Sequence, residues 1–237
     1  MTENRFTRHL SALTLMLAVS ASAQTISNDA TGVTIDTGAG LTRVEIWGDR
    51  IARVLHSPTS TLPATPSLTV TGSPANVTWQ FQNNSDHVLL TTLQLSARVE
   101  TASGKVSFID PGTATILSES TAGTTLTPTT VGSPATPSHV VTQKFDIASG
   151  EAIYGLGQHQ GGVMDWVGQS VTLLQENRYV AVPVSLSNKG YALLWDNPAV
   201  TTVDVGKTTT GRTSWSSEAG DAVDYYFCYG PDPGQTI

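Results

Sequence analysis

The sequence predicts an all-β fold, a large antiparallel β-sandwich, and three observations carry that prediction. Apolar residues recur with period two inside short runs bounded by Gly, Pro, Asn, Asp or Ser, the mark of half-buried strands. After residue 23 no run shows helical spacing of its apolar residues, so many strands follow one another by turns, as antiparallel all-β architectures require. Residues 24–237 also suit one unit, since sandwiches commonly reach about 200–250 residues as a single domain.

The elements read in order as follows. Residues 1–23 are expected to be an export signal: Arg5, Arg8 and His9 precede the apolar run "LSALTLMLAV", and "SASA" supplies a small-residue cleavage site. The run is short for a membrane span, which needs about 20 apolar residues. "LTRVEIWG" and "DRIARVLHSP" form a hairpin around Gly48–Asp49. "VTWQF", "HVLLTT", "LQLSARVET", "KVSFID" and "ATILSE" follow as strands, then "HVVTQKFDI", "AIYGLG", "SVTLLQ", "YVAVPVSLS", "YALLWD", "TTVDVG", "RTSWSSE" and "AVDYYFCYG". Two sheets about 10 Å apart would bury their inner faces in one core. Residues 57–76 and 120–138, rich in Thr, Ser, Pro and Ala, read as long surface loops with too few bulky apolar groups to pack. A domain boundary near Gly132 is the alternative for the second.

Composition narrows the function. The net charge of −7 and the lack of Lys/Arg clusters exclude a polyanion partner such as nucleic acid, which is held by counterion release at basic patches. Cys228 is the single cysteine, so no intrachain disulfide forms, and its strand context "YYFCYG" reads as a buried thiol. The segment "GLGQHQG" has one residue too many for a dinucleotide fingerprint and is followed by a strand rather than a helix. His159 has no His or Cys at ligand spacing, so no metal site is expected. No serine sits in a nucleophile elbow.

Four ordered blocks carry a resemblance. They are "GDRIARVLHSPT", "SGKVSFIDPGTATILSES", the run from "IYGLGQHQGG" through "GQSVTLLQENRYVAVPVSLSNKGYALLWDNP", and "VDYYFCYGPDPGQTI". Together they resemble the N-terminal, galactose-mutarotase-like β-sandwich of glycoside hydrolase family 31, in particular its α-xylosidase-like members. The resemblance implies a retaining α-glycosidase that acts on α-linked oligosaccharides in a following (β/α)8 barrel, without a cofactor. Retention takes two carboxyls about 5–5.5 Å apart. The barrel's Asp-Met-x-Glu-like nucleophile motif is absent from these residues, so no catalytic residue is assigned and the chain alone is expected to be inactive. The sandwich would package the barrel and lend it a loop, whose matching positions are Gln175, Glu176 and Asn177.

Amides and acids suit paired hydrogen bonds to adjacent hydroxyls. The competing reading is that Asn177 caps a turn and Glu176 is merely solvated. Trp47 and Trp195 sit in apolar strands and are expected in the core, whereas Trp166 reads equally as core or as a sugar-stacking ring. Gly155, Gly157 and Gly190 are expected at positive-φ turns. A free-standing exported glycan-binding sandwich, or an adhesive domain unrelated to sugar, remains the other class of function. An exported protein of the periplasm or exterior is expected throughout.

Overall fold

The computed structural model describes residues 24–64 and 66–236. The proposed export signal lies outside the described residues. The chain opens with β1 (Thr25–Asn28), β2 (Gly32–Asp36), β3 (Leu41–Gly48) and β4 (Ile51–Ser57). A five-strand meander follows: β5 (Gln80–Asn83), β6 (His87–Thr91), β7 (Ser96–Glu100), β8 (Val106–Ile109) and β9 (Thr115–Ser118). Next come β10 (Thr125–Val131), β11 (Thr136–Asp146), β12 (Ile153–Gln158), β13 (Gln169–Leu173) and β14 (Val180–Ser187). The chain finishes with β15 (Tyr191–Trp195), β16 (Thr201–Val205), β17 (Arg212–Gly220), β18 (Val223–Tyr229) and the single turn α1 (Pro233–Thr236).

All strand pairs are antiparallel and form three sheets, not the expected two. One has eight strands in the order β1-β2-β3-β4-β18-β15-β14-β12. The other two have five each, β10-β11-β17-β16-β13 and the β5-to-β9 meander. The sheets still make two layers, because a bridge between Glu119 and Phe145 links the five-stranded sheets. The Ser120 N–H donates to the Lys144 carbonyl at 2.8 Å beside it. Aromatic contacts seat the eight-stranded sheet on both. Phe227 stacks on Phe108 at 3.9 Å, Tyr225 meets Phe145 edge-on at 5.1 Å, and Trp195 lies 5.9 Å from Trp215.

Alternation decides what faces inward. In β18, Val223, Tyr225 and Phe227 enter the core while Asp224 and Tyr226 point to the other face of the sheet. The same rule corrects the reading of Trp47. It is half-buried on that outer face, edge-on to Tyr226 at 5.1 Å and donating from Nε1 to Glu45. Between β4 and residue 76 the described residues lack regular strand, as expected, and the strand expected over 77–81 begins only at Gln80. Residues 125–146 instead form a ribbon in which β10 pairs with β11 over Thr125–Val131. Gly132 is its turn and carries a φ of 77°. The ribbon escaped composition because its outer strand is mostly exposed; β-branched threonines, backbone pairing and the contact of Leu126 with the core sustain that strand.

Candidate functional site

The stretch from β12 to β14 forms one end of the sandwich, and its backbone is unusual. Gly155, Leu156 and Gly157 carry consecutive positive φ angles of 92°, 66° and 96°. They produce a register shift in the pairing of β12 with β14. A β-carbon on Gly157 would fall 1.8 Å from the Val180 carbonyl oxygen, so only glycine permits that approach. Asp165 holds the next loop in place, accepting from the N–H groups of Ile153 (3.1 Å) and Val167 (3.0 Å).

Trp166 belongs to the core. It is 5% exposed and donates from Nε1 to the Gly155 carbonyl at 3.1 Å, so it offers no face for a sugar ring. His159 donates to the Leu156 carbonyl at 2.8 Å and is wedged between Trp166 and Tyr179, each with ring centroids 5.5 Å away. The histidine therefore supports the loop that follows.

That loop joins β13 to β14. The Gln175 amide closes it, donating from Nε2 to the Tyr179 carbonyl (2.8 Å) and accepting from the Ala181 N–H (3.1 Å). Gln175 is thus committed to the loop's own backbone. Glu176 pairs with Tyr179 through a backbone bridge. The side chains of Glu176 and Asn177 are exposed, and neither makes a hydrogen bond among the described residues. Asn177 does not cap the turn. Exposed apolar residues recur along the chain on either side of the loop: Val163, Val167, Leu174, Val180, Val182 and Met164, the last 78% exposed. Isolated exposed apolar residues are ordinary, but six within residues 163–182 are a local concentration.

Two buried carboxylates escaped the sequence reading. Glu119, 1% exposed, accepts from the Val106 N–H and Tyr225 hydroxyl, both at 2.8 Å, and lies 2.7 Å from His56 Nε2. Glu151 accepts from Ser187, Tyr191 and the Ala148 N–H. Burial first, then the adjacent carboxylate, pushes the Tyr191 and Tyr225 hydroxyls well above the ordinary phenol range. Both acids are saturated with donors and tie elements together. In sequence Glu119 shows only as a Glu at the end of a short strand and Glu151 as a Glu in the turn before β12, and neither position distinguishes burial from solvation.

Comparison with known proteins follows the architecture. Residues 41–204 match the family described as the glycosyl hydrolase 31 N-terminal galactose mutarotase-like domain, and the chain belongs to that family. Among curated relatives, it is 37% identical over 99 residues to an α-xylosidase of Saccharolobus solfataricus, covering 38% of this chain and 13% of that protein. It is 35% identical over 81 residues to α-xylosidase A of Aspergillus niger, covering 34% of this chain and 11% of that one. The fold is also that of a family 31 α-xylosidase from Xanthomonas citri (TM-score 0.77, 21% identity, 86% of this chain and 38% of that one). A family 31 α-xylosidase from a soil metagenome, solved with xylose, gives 0.76 at 21% identity, covering 88% and 33%. The chain thus matches well under half the length of these relatives.

Proposed function

We propose that residues 24–237 are the N-terminal β-sandwich of an exported family 31 glycosidase of the α-xylosidase or α-glucosidase type, with residues 1–23 as its signal peptide. The sandwich supports a (β/α)8 catalytic barrel lying outside this sequence and lends that barrel's sugar site the loop bearing Gln175, Glu176 and Asn177. One observation carries the reading. Glu176 and Asn177 project unbonded from a loop that Gln175 and the His159–Tyr179 contact hold in shape, and exposed apolar residues flank that loop along the chain. Polar groups on a braced loop, with exposed apolar residues to either side in the chain, suit a segment that seats against another domain and meets hydroxyls there.

The substrate class of the relatives, α-xylosides, is the expected one here. The test begins with the coding sequence beyond residue 237, which should open in frame into a barrel with its acid pair. In that complete enzyme Glu176→Gln and Asn177→Ala should each raise KM for an aryl α-xyloside about tenfold, since a hydrogen bond to a charged or well-placed group is worth about 1–3 kcal/mol. The circular dichroism spectrum should not change. Unaltered KM in both variants would remove the loop from the substrate site.

A further inference from the structure

Residues 174–179 carry the chain from β13, the edge strand of a five-stranded sheet, to β14 in the eight-stranded sheet. The crossing closes on a tight turn. The Tyr179 N–H donates to the Glu176 carbonyl at 3.2 Å, the backbones of those residues form the bridge, and Asn177 and Arg178 stand at the tip. Residues directly opposite in such a bridge share a face. Glu176 therefore lies on the side of Tyr179, whose ring meets His159, while Asn177 and Arg178 project farthest from the strands.

The composition of this tip is uncommon. Tight hairpin turns form most readily from Asn-Gly or Gly-X, with positive φ at the centre. Here an arginine follows the asparagine where glycine would complete that pair, and neither tip residue has a positive φ. Turn chemistry does not account for Arg178, and neither does packing. Its side chain is exposed and makes no hydrogen bond or ion pair among the described residues. Arg43, Arg53, Arg98 and Arg212, by contrast, each have a carboxylate within reach. Nor does Arg178 sit on a loose loop, because the Gln175 amide and the His159 ring both hold Tyr179, the next residue.

Charge and shape say what this side chain would recognise. A guanidinium carries only donors, set in a planar fork, so it is satisfied by paired oxygen acceptors. Adjacent hydroxyls of a sugar ring supply such a pair. Glu176 offsets the positive charge, and the turn of residues 175–179 is neutral as a whole. An uncharged sugar fits it better than a uronic acid or a phosphate, which the glutamate would repel. Given the loop's proposed place in the sugar site, we infer that Arg178 is a further substrate-binding residue. Its guanidinium donates to neighbouring hydroxyls of an uncharged α-linked oligosaccharide, beside Asn177.

The test uses the complete enzyme with an uncharged xylosyl oligosaccharide as substrate. Arg178→Met keeps the length of the stem and removes every donor. It should raise KM about tenfold, the value of a charge-assisted hydrogen bond, and leave kcat unchanged. Arg178→Lys keeps the charge but not the fork, and should recover only part of that loss. Neither variant should alter the circular dichroism spectrum, since the side chain makes no bond within the sandwich.

An unmoved KM in Arg178→Met overturns the inference, and a lowered unfolding temperature alongside it would assign the side chain to a carboxylate of the barrel. Full recovery by lysine also overturns it, because a point charge would then suffice. Failure here is separable from failure of the substrate loop. If Glu176→Gln and Asn177→Ala raise KM while Arg178→Met does not, only the role of Arg178 falls. If none of the three raises it, the loop itself leaves the sugar site.

Discussion

Replacing Glu119 by alanine removes a carboxylate at the point where all three sheets meet. Its donors come from different places: His56 in β4 and Tyr225 in β18 of the eight-stranded sheet, and the Val106 N–H at the start of β8. The Glu119–Phe145 bridge brings in the sheet of β11. Alanine strands all three donors in a region where Tyr225 is wholly buried. Each orphaned group costs about 1–3 kcal/mol, and entering water recovers part of that through the space left behind. A loss of roughly 3–6 kcal/mol is therefore expected, a large share of the total of about 5–15 typical of a domain. Urea unfolding followed by tryptophan fluorescence measures it, with Trp195 and Trp215 reporting on the interior. Tyr225→Phe is the internal control: it deletes one donor and leaves Glu119 two, so about 1 kcal/mol should suffice. An alanine variant within about 1 kcal/mol of the parent chain would refute the claim that this carboxylate joins the layers.

Two further outcomes follow from local geometry. Gly157→Ala should destabilise by more than about 2 kcal/mol, because its β-carbon would meet the Val180 carbonyl at a φ of 96°, whereas Gly162→Ala, with a φ of 67° and open space around it, should cost only about 1 kcal/mol. The same urea titration separates them, and equal losses would contradict the close-approach argument. Cys228, whose thiol burial pushes up to about 11, should react slowly with a disulfide reagent at mildly alkaline pH and completely in guanidinium; rapid native labelling would show an accessible thiolate.

Much of the fold was legible locally. Strands such as β7 and β8 alternate strictly, Ala97, Val99, Val106 and Phe108 inward, and periodicity alone places them. The ribbon of β10 and β11 was not legible, since neither amphipathic alternation nor bulky residues mark its outer strand. Trp47 and Trp195 look equivalent in sequence, each closing an apolar run, yet one lies outside the eight-stranded sheet and the other in the core. Parity within a strand says which residues share a face but not which face meets another layer. The site divides similarly. A polar loop at residues 175–177 could be picked out, but not that Gln175 is consumed in bracing it, nor that Trp166 is enclosed.

What the sequence by itself determined is the class of architecture, the absence of disulfides and of basic surface, and membership in a recognisable family, because these depend on composition, short-range period and ordered motifs. Tertiary structure alone decided how the three sheets share two layers and which acids are saturated hubs. Those outcomes rest on contacts between residues far apart in the chain, such as Glu119 with Tyr225 or Arg53 with Asp224. Burial and pairing are properties of the assembled layers, and no local pattern encodes them.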